Sequence, residues 1–413
     1  MKRKVIMRRT FIAIAVLALV TSAATAQKAA PTYKTTQLSD QFYCEGAYFG
    51  DFNKDGKPDI VSGPYWYEGP DFKTKHELYT PKPYNPEGYS ENFLTFVYDF
   101  NGDSYPDVLE IGFPAKETCW YENPAGKGDT WKKHLAFASV GGESPMFADI
   151  NGDGKPELLC VFQETLGYAS PNWASPDQPW KWTAVTPKGG YGMFTHGHGL
   201  GDINGDGRTD YLEANAWWEQ PAKLEDGKPW IKHPFKFADA AAQMLAMDVD
   251  GDGKMDIVTA WHCHLYGIVW WRQVQDANGQ ISFEKNVIIG DKGEPTPDGA
   301  KFSQAHAFDL MQFKDGLNGF VVGKRWWAHG PKGDLEPMAT PVVYYFQIVR
   351  DAGKAKFVPH LVNDVSGVGT QVAAGDLNGD GIPDIVVGNK RGTFVSLSQS
   401  ATPAPTPANQ PAK

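Results

Sequence analysis

The chain has 413 residues, of which 41% are hydrophobic, and its formal net charge is −10. A chain of this length can bury a sizeable core, and its acidic balance argues against nucleic acid as a partner. Beyond the N-terminal segment, no stretch is long and apolar enough to span a membrane.

The chain begins with a pattern typical of export signals. Five basic residues precede an apolar run at residues 11–20, and Ala24-Thr25-Ala26 matches a small-residue cleavage site. The letters RRTFIA from Arg8 also resemble a twin-arginine signal. We therefore expect a signal peptide at residues 1–26, a short linker at 27–32, and export to the periplasm or the extracellular space by the Sec or the twin-arginine route. The Pro/Ala/Thr-rich residues 399–413 are expected to be disordered.

An acidic nine-residue pattern, which we call the comb, recurs along the chain. Complete copies lie at residues 51–59, 99–107, 149–157, 202–210, 248–256 and 376–384, and a worn copy lies at 309–316. Oxygen ligands at positions 1, 3, 5 and 9 of such a loop converge on one hard cation, and a flexible oxygen cage favours calcium. We therefore predict structural calcium sites whose ligands are Asp51, Asn53, Asp55, Asp59, Asp99, Asn101, Asp103, Asp107, Asp149, Asn151, Asp153, Glu157, Asp202, Asn204, Asp206, Asp210, Asp248, Asp250, Asp252, Asp256, Asp376, Asn378, Asp380 and Asp384.

The segments between the combs repeat as well. Each comb is followed by an apolar run such as IVSGP, an aromatic pair as in YWYEGP, and a segment such as WKKHLAF. Short apolar runs separated by turn residues are typical of strands. The first aspartates of the seven copies are 48, 50, 53, 46, 61 and 67 residues apart, and repeats of about this length indicate a propeller or a solenoid. Four strands in each of seven repeats predict an all-β fold, a single seven-bladed β-propeller at residues 33–398.

The two ends of this region predict how the propeller closes. The last repeat stops after three strands, whereas YKTTQLS near the N-terminus matches a fourth strand that precedes the first comb. We predict that this N-terminal strand completes the last blade, because closure removes an open sheet edge.

These repeats resemble the FG-GAP/VCBS family, whose calcium-loop repeats also build the propellers of integrin α chains. The resemblance covers residues 33–398 and implies a propeller that binds calcium. It also implies that every comb joins the first, innermost strand of a blade to the second. All combs then lie on one face, here called the bottom face. The same fold hosts adhesion, binding and catalysis.

The histidines divide into two groups by their place in the repeat. His134, His233 and His360 occupy equivalent positions in the fourth strand, and His76 lies close to that position. A residue that recurs in several blades is expected to have a packing role. The other six histidines interrupt the repeat, and they lie where the top face, opposite the combs, is expected.

The six irregular histidines come from three consecutive repeats, and they are His196, His198, His262, His264, His306 and His329. Three of them begin innermost strands and three lie in turns between second and third strands, so we predict that they line a polar funnel at the top face. Lys324 and Arg325 add positive charge beside them, and Trp326 or Trp327 offers an apolar face for a sugar ring. Other repeats contribute polar residues at the same level: Glu45, Glu91, Asn92, Glu143, Ser144, Gln243, Gln304 and Gln371.

Two chemistries fit such a group of histidines. Imidazoles with pKa values near neutrality suit proton transfer, for example removal of a C–H proton beside a carbonyl. Alternatively, two or three of them ligate an additional divalent metal, because HGH at 196–198 and HCH at 262–264 place alternate side chains on one side of an extended segment. Cys44, Cys119, Cys160 and Cys263 show no metal-ligand spacing, and the sequence predicts no particular disulfide pairing among them.

Two segments carry a narrower resemblance. THGHGLGDINGDGRTDYLEANAWWEQP and VVGKRWWAHGPKGD are similar to the propeller of the aldos-2-ulose dehydratases, which eliminate water from keto- or anhydro-sugars. The resemblance implies a sugar-directed lyase with histidine acid/base residues and a divalent ion. Within it we assign His196 or His198 as the base and His262 and His264 as acids or metal ligands, while Lys324 or Arg325 holds a developing enolate. The alternative is a non-catalytic, secreted propeller that binds carbohydrate or a protein partner.

Overall fold

The computed structural model describes residues 30–128, 130–351 and 354–399. The predicted signal peptide and all of the predicted tail except Gln399 lie outside these ranges. The described residues form 27 strands, and they contain no helix that could cross a membrane.

Strands in the first half are β1 (Thr32–Ser39), β2 (Tyr48–Gly50), β3 (Asp59–Ser62), β4 (Tyr65–Tyr67), β5 (Lys75–Glu77), β6 (Leu94–Tyr98), β7 (Asp107–Ile111), β8 (Lys116–Glu122), β9 (Lys132–Ala148), β10 (Glu157–Phe162), β11 (Thr165–Ser170), β12 (Lys181–Ala184) and β13 (His198–Gly201). Those in the second half are β14 (Asp210–Glu213), β15 (Ala216–Glu219), β16 (Ile231–Pro234), β17 (Met244–Met247), β18 (Asp256–Ala260), β19 (Ile268–Gln275), β20 (Ile281–Ile289), β21 (Ala305–Phe313), β22 (Gly316–Lys324), β23 (Val343–Asp351), β24 (Lys354–Asn363), β25 (Ala373–Gly375), β26 (Asp384–Asn389) and β27 (Gly392–Gln399).

Hydrogen bonds group these strands into units of four. Unit 1 is β2–β5, unit 6 is β21–β24, and unit 7 is β25–β27 together with β1. Units 2 and 3 form one sheet, β6–β12, because the 17 residues of β9 serve as the last strand of one unit and the first of the next. Units 4 and 5, β13–β16 and β17–β20, are joined because β13 pairs in parallel with β17.

The hydrophobic core lies between neighbouring units. Phe52 and Trp66 of unit 1 pack with Val108 of unit 2, for example. Equivalent clusters join each later pair of units, and a cluster that contains Ile60 and Val386 joins unit 7 to unit 1. The units therefore close into a ring, which is held together by burial of apolar surface between sheets.

The ring is completed by the N-terminal strand. β1 pairs antiparallel with β27, so that Thr32 lies opposite Gln399 and Thr36 lies opposite Val395. β1 is thus the fourth strand of the unit that β25, β26 and β27 begin. The prediction of an all-β propeller closed by the N-terminal strand is confirmed.

The worn copy of the comb does not form a comb loop. Residues 309–313 continue β21, and a tight turn then leads to β22, with Phe313 opposite Gly316. Asp309 accepts a hydrogen bond from Ala374 N at 2.9 Å. The first aspartate of this copy therefore links unit 6 to unit 7.

The last aspartate of a complete comb faces into the blade. Asp59 is fully buried, and its two oxygens accept hydrogen bonds from Phe52 N and Gly69 N, both at 2.8 Å. The equivalent aspartates accept the same pair of backbone bonds. Burial raises the pKa of these carboxyls, to about 7 for Asp107. The carboxylate at the ninth position thus connects the comb loop to the following strands through hydrogen bonds. Its role as a calcium ligand is a separate prediction.

Candidate active site

Three of the six irregular histidines meet where units 4, 5 and 6 converge. His196 precedes β13, His264 lies in the turn between β18 and β19, and His306 lies near the start of β21. Their ring centroids are 5.1, 5.5 and 5.4 Å apart. We call these three residues and Cys263 the histidine cluster, because one ligand atom of each lies within 4.8 Å of the others.

A buried salt-bridge network lies beside the histidine cluster. Arg325 is only 1% exposed; its Nη2 is 2.8 Å from Glu45 Oε2, and its Nη1 is 3.1 Å from Glu143 Oε2. Glu143 Oε2 is also 3.3 Å from His196 Nε2 and 3.4 Å from His306 Nε2. Because Arg325, Glu45 and Glu143 belong to units 6, 1 and 3, the network spans the centre of the ring.

Two glutamines of the predicted funnel cross-link units. Gln371 Oε1 accepts a hydrogen bond from Thr95 N and Gln371 Nε2 donates one to Thr95 O, each at 2.8 Å. Gln243 Nε2 donates to Thr370 O, and Gln243 Oε1 accepts from Phe308 N, each at 3.1 Å. Both atoms of each side-chain amide are hydrogen-bonded to backbone groups of neighbouring units. These two side chains therefore stabilise the ring and are poorly placed to contact a ligand.

His329 lies at the exposed edge of the histidine cluster. Its ring centroid is 4.8 Å from that of His264, and its side chain is 55% exposed. His329 Nδ1 is 2.8 Å from Asp334 Oδ1, and the other oxygen of this carboxylate accepts His329 N–H at 2.9 Å. The contact with Asp334 favours the proton on Nδ1 and leaves Nε2 as the basic nitrogen, which suits proton transfer.

Charge is unevenly divided within the site. Although burial opposes it, hydrogen bonds from His196 and His306 and the charge of Arg325 hold the pKa of Glu143 well below its usual range. Against the effect of burial, hydrogen bonds to Cys263 and Glu143 raise the pKa of His196 to about 10. Burial and the charge of Arg325 lower the pKa of His306 to about 3. Without a metal ion, the site therefore pairs an ionised Glu143 with a charged His196 and a neutral His306, and His196 must release its proton before it can bind a metal ion.

The donor atoms of the histidine cluster fit a transition metal. Within the described residues, the buried atoms His264 Nδ1 and His306 Nδ1 have no hydrogen-bond partner. A buried polar atom without a partner costs about 1–3 kcal/mol, and ligation removes that cost. His306 Nε2 is 2.9 Å from Arg325 Nη1, and because a guanidinium only donates, Nε2 accepts and the proton of neutral His306 lies on Nδ1. Ligation of a metal ion through Nδ1 therefore requires this proton to leave Nδ1. Imidazole and thiolate donors favour zinc and its first-row neighbours over calcium.

His198 is not part of the histidine cluster. Its side chain is fully buried, and its Nδ1 is 2.8 Å from the Tyr211 hydroxyl. Burial lowers the pKa of His198 to about 3. The expectation that HGH directs both histidines to one side is wrong, because Gly197 has a φ of 84° and interrupts the extended alternation. A Cβ at Gly197 would lie 2.7 Å from Ala241 Cβ, so the turn requires glycine.

The HCH segment also departs from extended geometry. Residues 261–266 form a turn that brings Cys263 and His264 to the same cluster. The ring of His262 lies further away, with its centroid 6.1 Å from that of His264. Cys263 is thus a candidate ligand that sequence spacing missed, and its position between two histidines was the available signal.

The side chains after β22 are buried rather than presented to the funnel. Lys324 Nζ donates to Ser303 Oγ at 3.1 Å, and burial lowers its pKa to about 8. Arg325 is held by two carboxylates, so both cations have protein partners, and contact of Lys324 or Arg325 with a substrate enolate stays a prediction. Trp326 and Trp327 are each 8% exposed and stack on each other with centroids 5.4 Å apart. Neither indole therefore offers an open face to a sugar.

The recurrent histidines have the packing role that the repeat predicts. His233 stacks on Trp217 with ring centroids 3.9 Å apart, and its Nε2 is 2.8 Å from Glu219 Oε2. His76 and His134 repeat both kinds of contact in their own units. These side chains lie on fourth strands, away from the histidine cluster.

The combs lie at the opposite end of the first strands from the histidine cluster. β13, for example, ends directly before Asp202. In that loop Asp202 Oδ1 and Asn204 Oδ1 both accept a hydrogen bond from Asp206 N, at 2.9 and 3.1 Å. In the comb at 248–256, one oxygen from each of the first three aspartates lies within 4.8 Å of the others. In this comb three carboxylate oxygens thus converge, and calcium binding by the combs stays a prediction.

A ring of four-stranded units with acidic loops on one face and a histidine cluster on the other defines a β-propeller with a candidate ligand site at its top face. Residues 368–402 match the FG-GAP repeat, and residues 99–160 match the FG-GAP-like repeat. These two segments therefore match the repeat family, and the predicted resemblance to FG-GAP repeats is confirmed.

Several solved structures are similar to the chain over most of its length. An Agrocybe aegerita lectin that recognises non-reducing terminal N-acetylglucosamine has a TM-score of 0.46 at 14% identity, and the match covers 89% of this chain and 86% of the lectin. Rhamnogalacturonan lyase YesW has a TM-score of 0.41 at 11% identity, with 88% and 75% covered. An auxiliary nutrient binding protein from Bacteroides ovatus has a TM-score of 0.43 at 10% identity, with 75% and 70% covered.

No curated protein sequence matches the chain. The narrower resemblance to the aldos-2-ulose dehydratases is not confirmed and stays a hypothesis.

Proposed function

We propose that the protein is a carbohydrate-active lyase that eliminates water from a keto- or anhydro-sugar at the histidine cluster. The observation that supports this most is the convergence of three imidazoles, with the His329–Asp334 pair at their exposed edge. The sugar class rests on the resemblance of two sequence segments, of which one contains His196 and the other contains His329 and Asp334.

In this proposal His196, His264 and His306 hold a first-row transition ion, and Cys263 is a further donor. When bound, such an ion supplies the Lewis acidity that polarises a sugar carbonyl. Glu143 lies 3.3 Å from His196 Nε2 and Arg325 Nη1 lies 2.9 Å from His306 Nε2, so these two charged groups orient the two rings.

His329 is the proposed proton acceptor. Asp334 holds its Nδ1, so its Nε2 can remove the C–H proton beside the carbonyl. The electrons of that bond form the new C=C bond as the neighbouring hydroxyl departs. The imidazolium returns the proton to this hydroxyl, which leaves as water, so one acid/base residue suffices for the step.

The proposal is tested with the full-length protein and a panel of keto- and anhydro-sugars. Zinc, manganese and iron(II) are added in separate assays. With at least one sugar and one metal, the elimination product, a conjugated enone, should appear by its ultraviolet absorbance. His329→Asn should lower kcat by about 10²–10⁴-fold, the usual contribution of a general base. His233→Asn, on an outer strand, should retain the wild-type rate. Absence of elimination by the wild type on every sugar and metal would contradict the lyase and favour the binding alternative.

We also propose that the combs bind calcium and that the protein functions after export, since FG-GAP repeats are typical of extracellular or periplasmic proteins. The six complete combs carry 19 acidic side chains. Crowded carboxylates repel one another, and a divalent ion offsets that repulsion.

Removal of calcium should destabilise the protein. A site occupied at 100 times its Kd contributes about 2.7 kcal/mol to folding, so EDTA should lower the Tm by roughly 5–10 °C or more. The measurement is differential scanning fluorimetry, with calcium and zinc added back separately to distinguish the combs from the histidine cluster. As a matched pair, Asp202→Asn should reduce the calcium bound in equilibrium dialysis, whereas Asp291→Asn, an exposed change outside the combs, should not. An unchanged Tm after chelation would show that calcium does not support the fold.

A further inference from the structure

A cavity lies on the top face between units 1 and 2, outside the histidine cluster. Its volume is about 730 Å³, within the range of sites that enclose small organic ligands. Its walls include Tyr79, Tyr84, Tyr89, Glu110, Phe113 and Lys133. None of these residues has a role in the proposed elimination.

The cavity contains a buried carboxyl group. Glu110 is 8% exposed, and its Oε1 accepts a hydrogen bond from the Tyr79 hydroxyl at 2.8 Å. Burial raises the pKa of Glu110 to about 7. Near neutral pH this group exists in both protonation states, so it can donate a hydrogen bond to a ligand hydroxyl as well as accept one.

The charges around the cavity balance. Three lysines and three glutamates line it, and the Lys133 Nζ atom is 3.1 Å from Glu117 Oε1. A balanced lining does not select a charged ligand. Aromatic walls with a polar rim suit a sugar ring, because its C–H faces pack on aromatic rings and its hydroxyls bond to polar groups.

A row of aromatic rings connects this cavity with the histidine cluster. The ring centroid of Phe113 is 5.3 Å from that of Tyr89 and 5.9 Å from that of Phe194. Phe194 is 48% exposed and lies two residues before His196. A ligand longer than one sugar can therefore lie over this row and reach both places.

We propose that the cavity is a subsite for a neutral pyranose residue of an oligosaccharide whose neighbouring residues extend toward the histidine cluster. The extension toward the cluster rests on the proposed function. The binding of a sugar in the cavity does not.

The subsite is tested by isothermal titration calorimetry with maltotetraose, cellotetraose, mannotetraose and galactotetraose. At least one should bind the intact protein, and its Kd should rise at least tenfold in Tyr84→Ala and in Tyr89→Ala. Tyr105→Ala, which removes an aromatic ring from a comb on the bottom face, should leave that Kd unchanged. Failure of the intact protein to bind any of the four, or an unchanged Kd in both cavity variants with a wild-type Tm, would overturn the subsite.

A second assay distinguishes failure of the subsite from failure of the proposed function. It measures elimination by the intact protein on a keto-monosaccharide, which is too short to reach the subsite. Elimination without tetrasaccharide binding would overturn the subsite alone. Binding that depends on Tyr84 and Tyr89 without any elimination would overturn the lyase and leave the subsite in place.

Discussion

Replacing His264 with alanine should abolish transition-metal binding and lower the elimination rate by more than about 100-fold. His264 Nε2 is 3.3 Å from His196 Nε2, and its ring is 4.8 Å from that of His329. It therefore connects the proposed metal ligands with the proposed proton acceptor. Loss of a residue that merely supports a metal ligand costs about 10–100-fold, so loss of a ligand should cost more.

The measurements are metal content by mass spectrometry after dialysis and kcat on the best keto-sugar found. We expect about one zinc or similar ion per chain in the wild type, beyond any calcium, and less than a tenth of that in His264→Ala. His233→Ala is the matched control, because His233 packs on Trp217 outside the site. A His264→Ala variant with wild-type metal content would show that the cluster is not a metal centre.

Replacing Arg325 with methionine should destabilise the protein by about 3–5 kcal/mol, the usual cost of removing one partner from a buried ion pair. The substitution leaves Glu45 and Glu143 in a buried place without their cation. Because these carboxylates belong to units 1 and 3, the loss should weaken the closed ring as a whole. Arg325→Lys should recover only part of the loss, since an ammonium cannot hold two carboxylates in the fixed geometry of a guanidinium.

Guanidinium unfolding followed by tryptophan fluorescence measures this effect. The triple variant Arg325→Met, Glu45→Gln, Glu143→Gln should be more stable than Arg325→Met, because it removes the uncompensated charges. If Arg325→Met costs less than about 1 kcal/mol, in the range of an exposed pair, the network does not hold the ring together. Equal stability of the single and triple variants would also contradict this explanation.

Much of the fold could be predicted because its signals are local and repeated. Each comb is a loop within nine residues, and each strand is a short apolar run, so neither depends on distant contacts. The sequence at the N-terminus matches the fourth strand that the last repeat lacks. Closure of the ring then predicts that this strand, β1, pairs with β27, and it does. His233 was assigned to packing because its position recurs, and it does stack on Trp217.

The candidate site could be predicted only in part. The break in the repeat identified the irregular histidines and the face on which they lie, but not which of them meet. One glycine with a positive φ separates His198 from His196, and a turn brings Cys263 beside His264. Alternation along an extended strand, the rule available from sequence, fails at both places because neither segment is extended.

The sequence by itself thus determined the repeat, the strands, the acidic loops and the set of irregular histidines. Only the tertiary structure decided that Arg325 joins Glu143 and Glu45, which are 182 and 280 residues away along the chain. It also decided that His306 shares Glu143 with His196. These contacts exist because burial of apolar surface between the sheets closes the units into a ring. No local sequence pattern states which side chains of distant units then lie within contact distance.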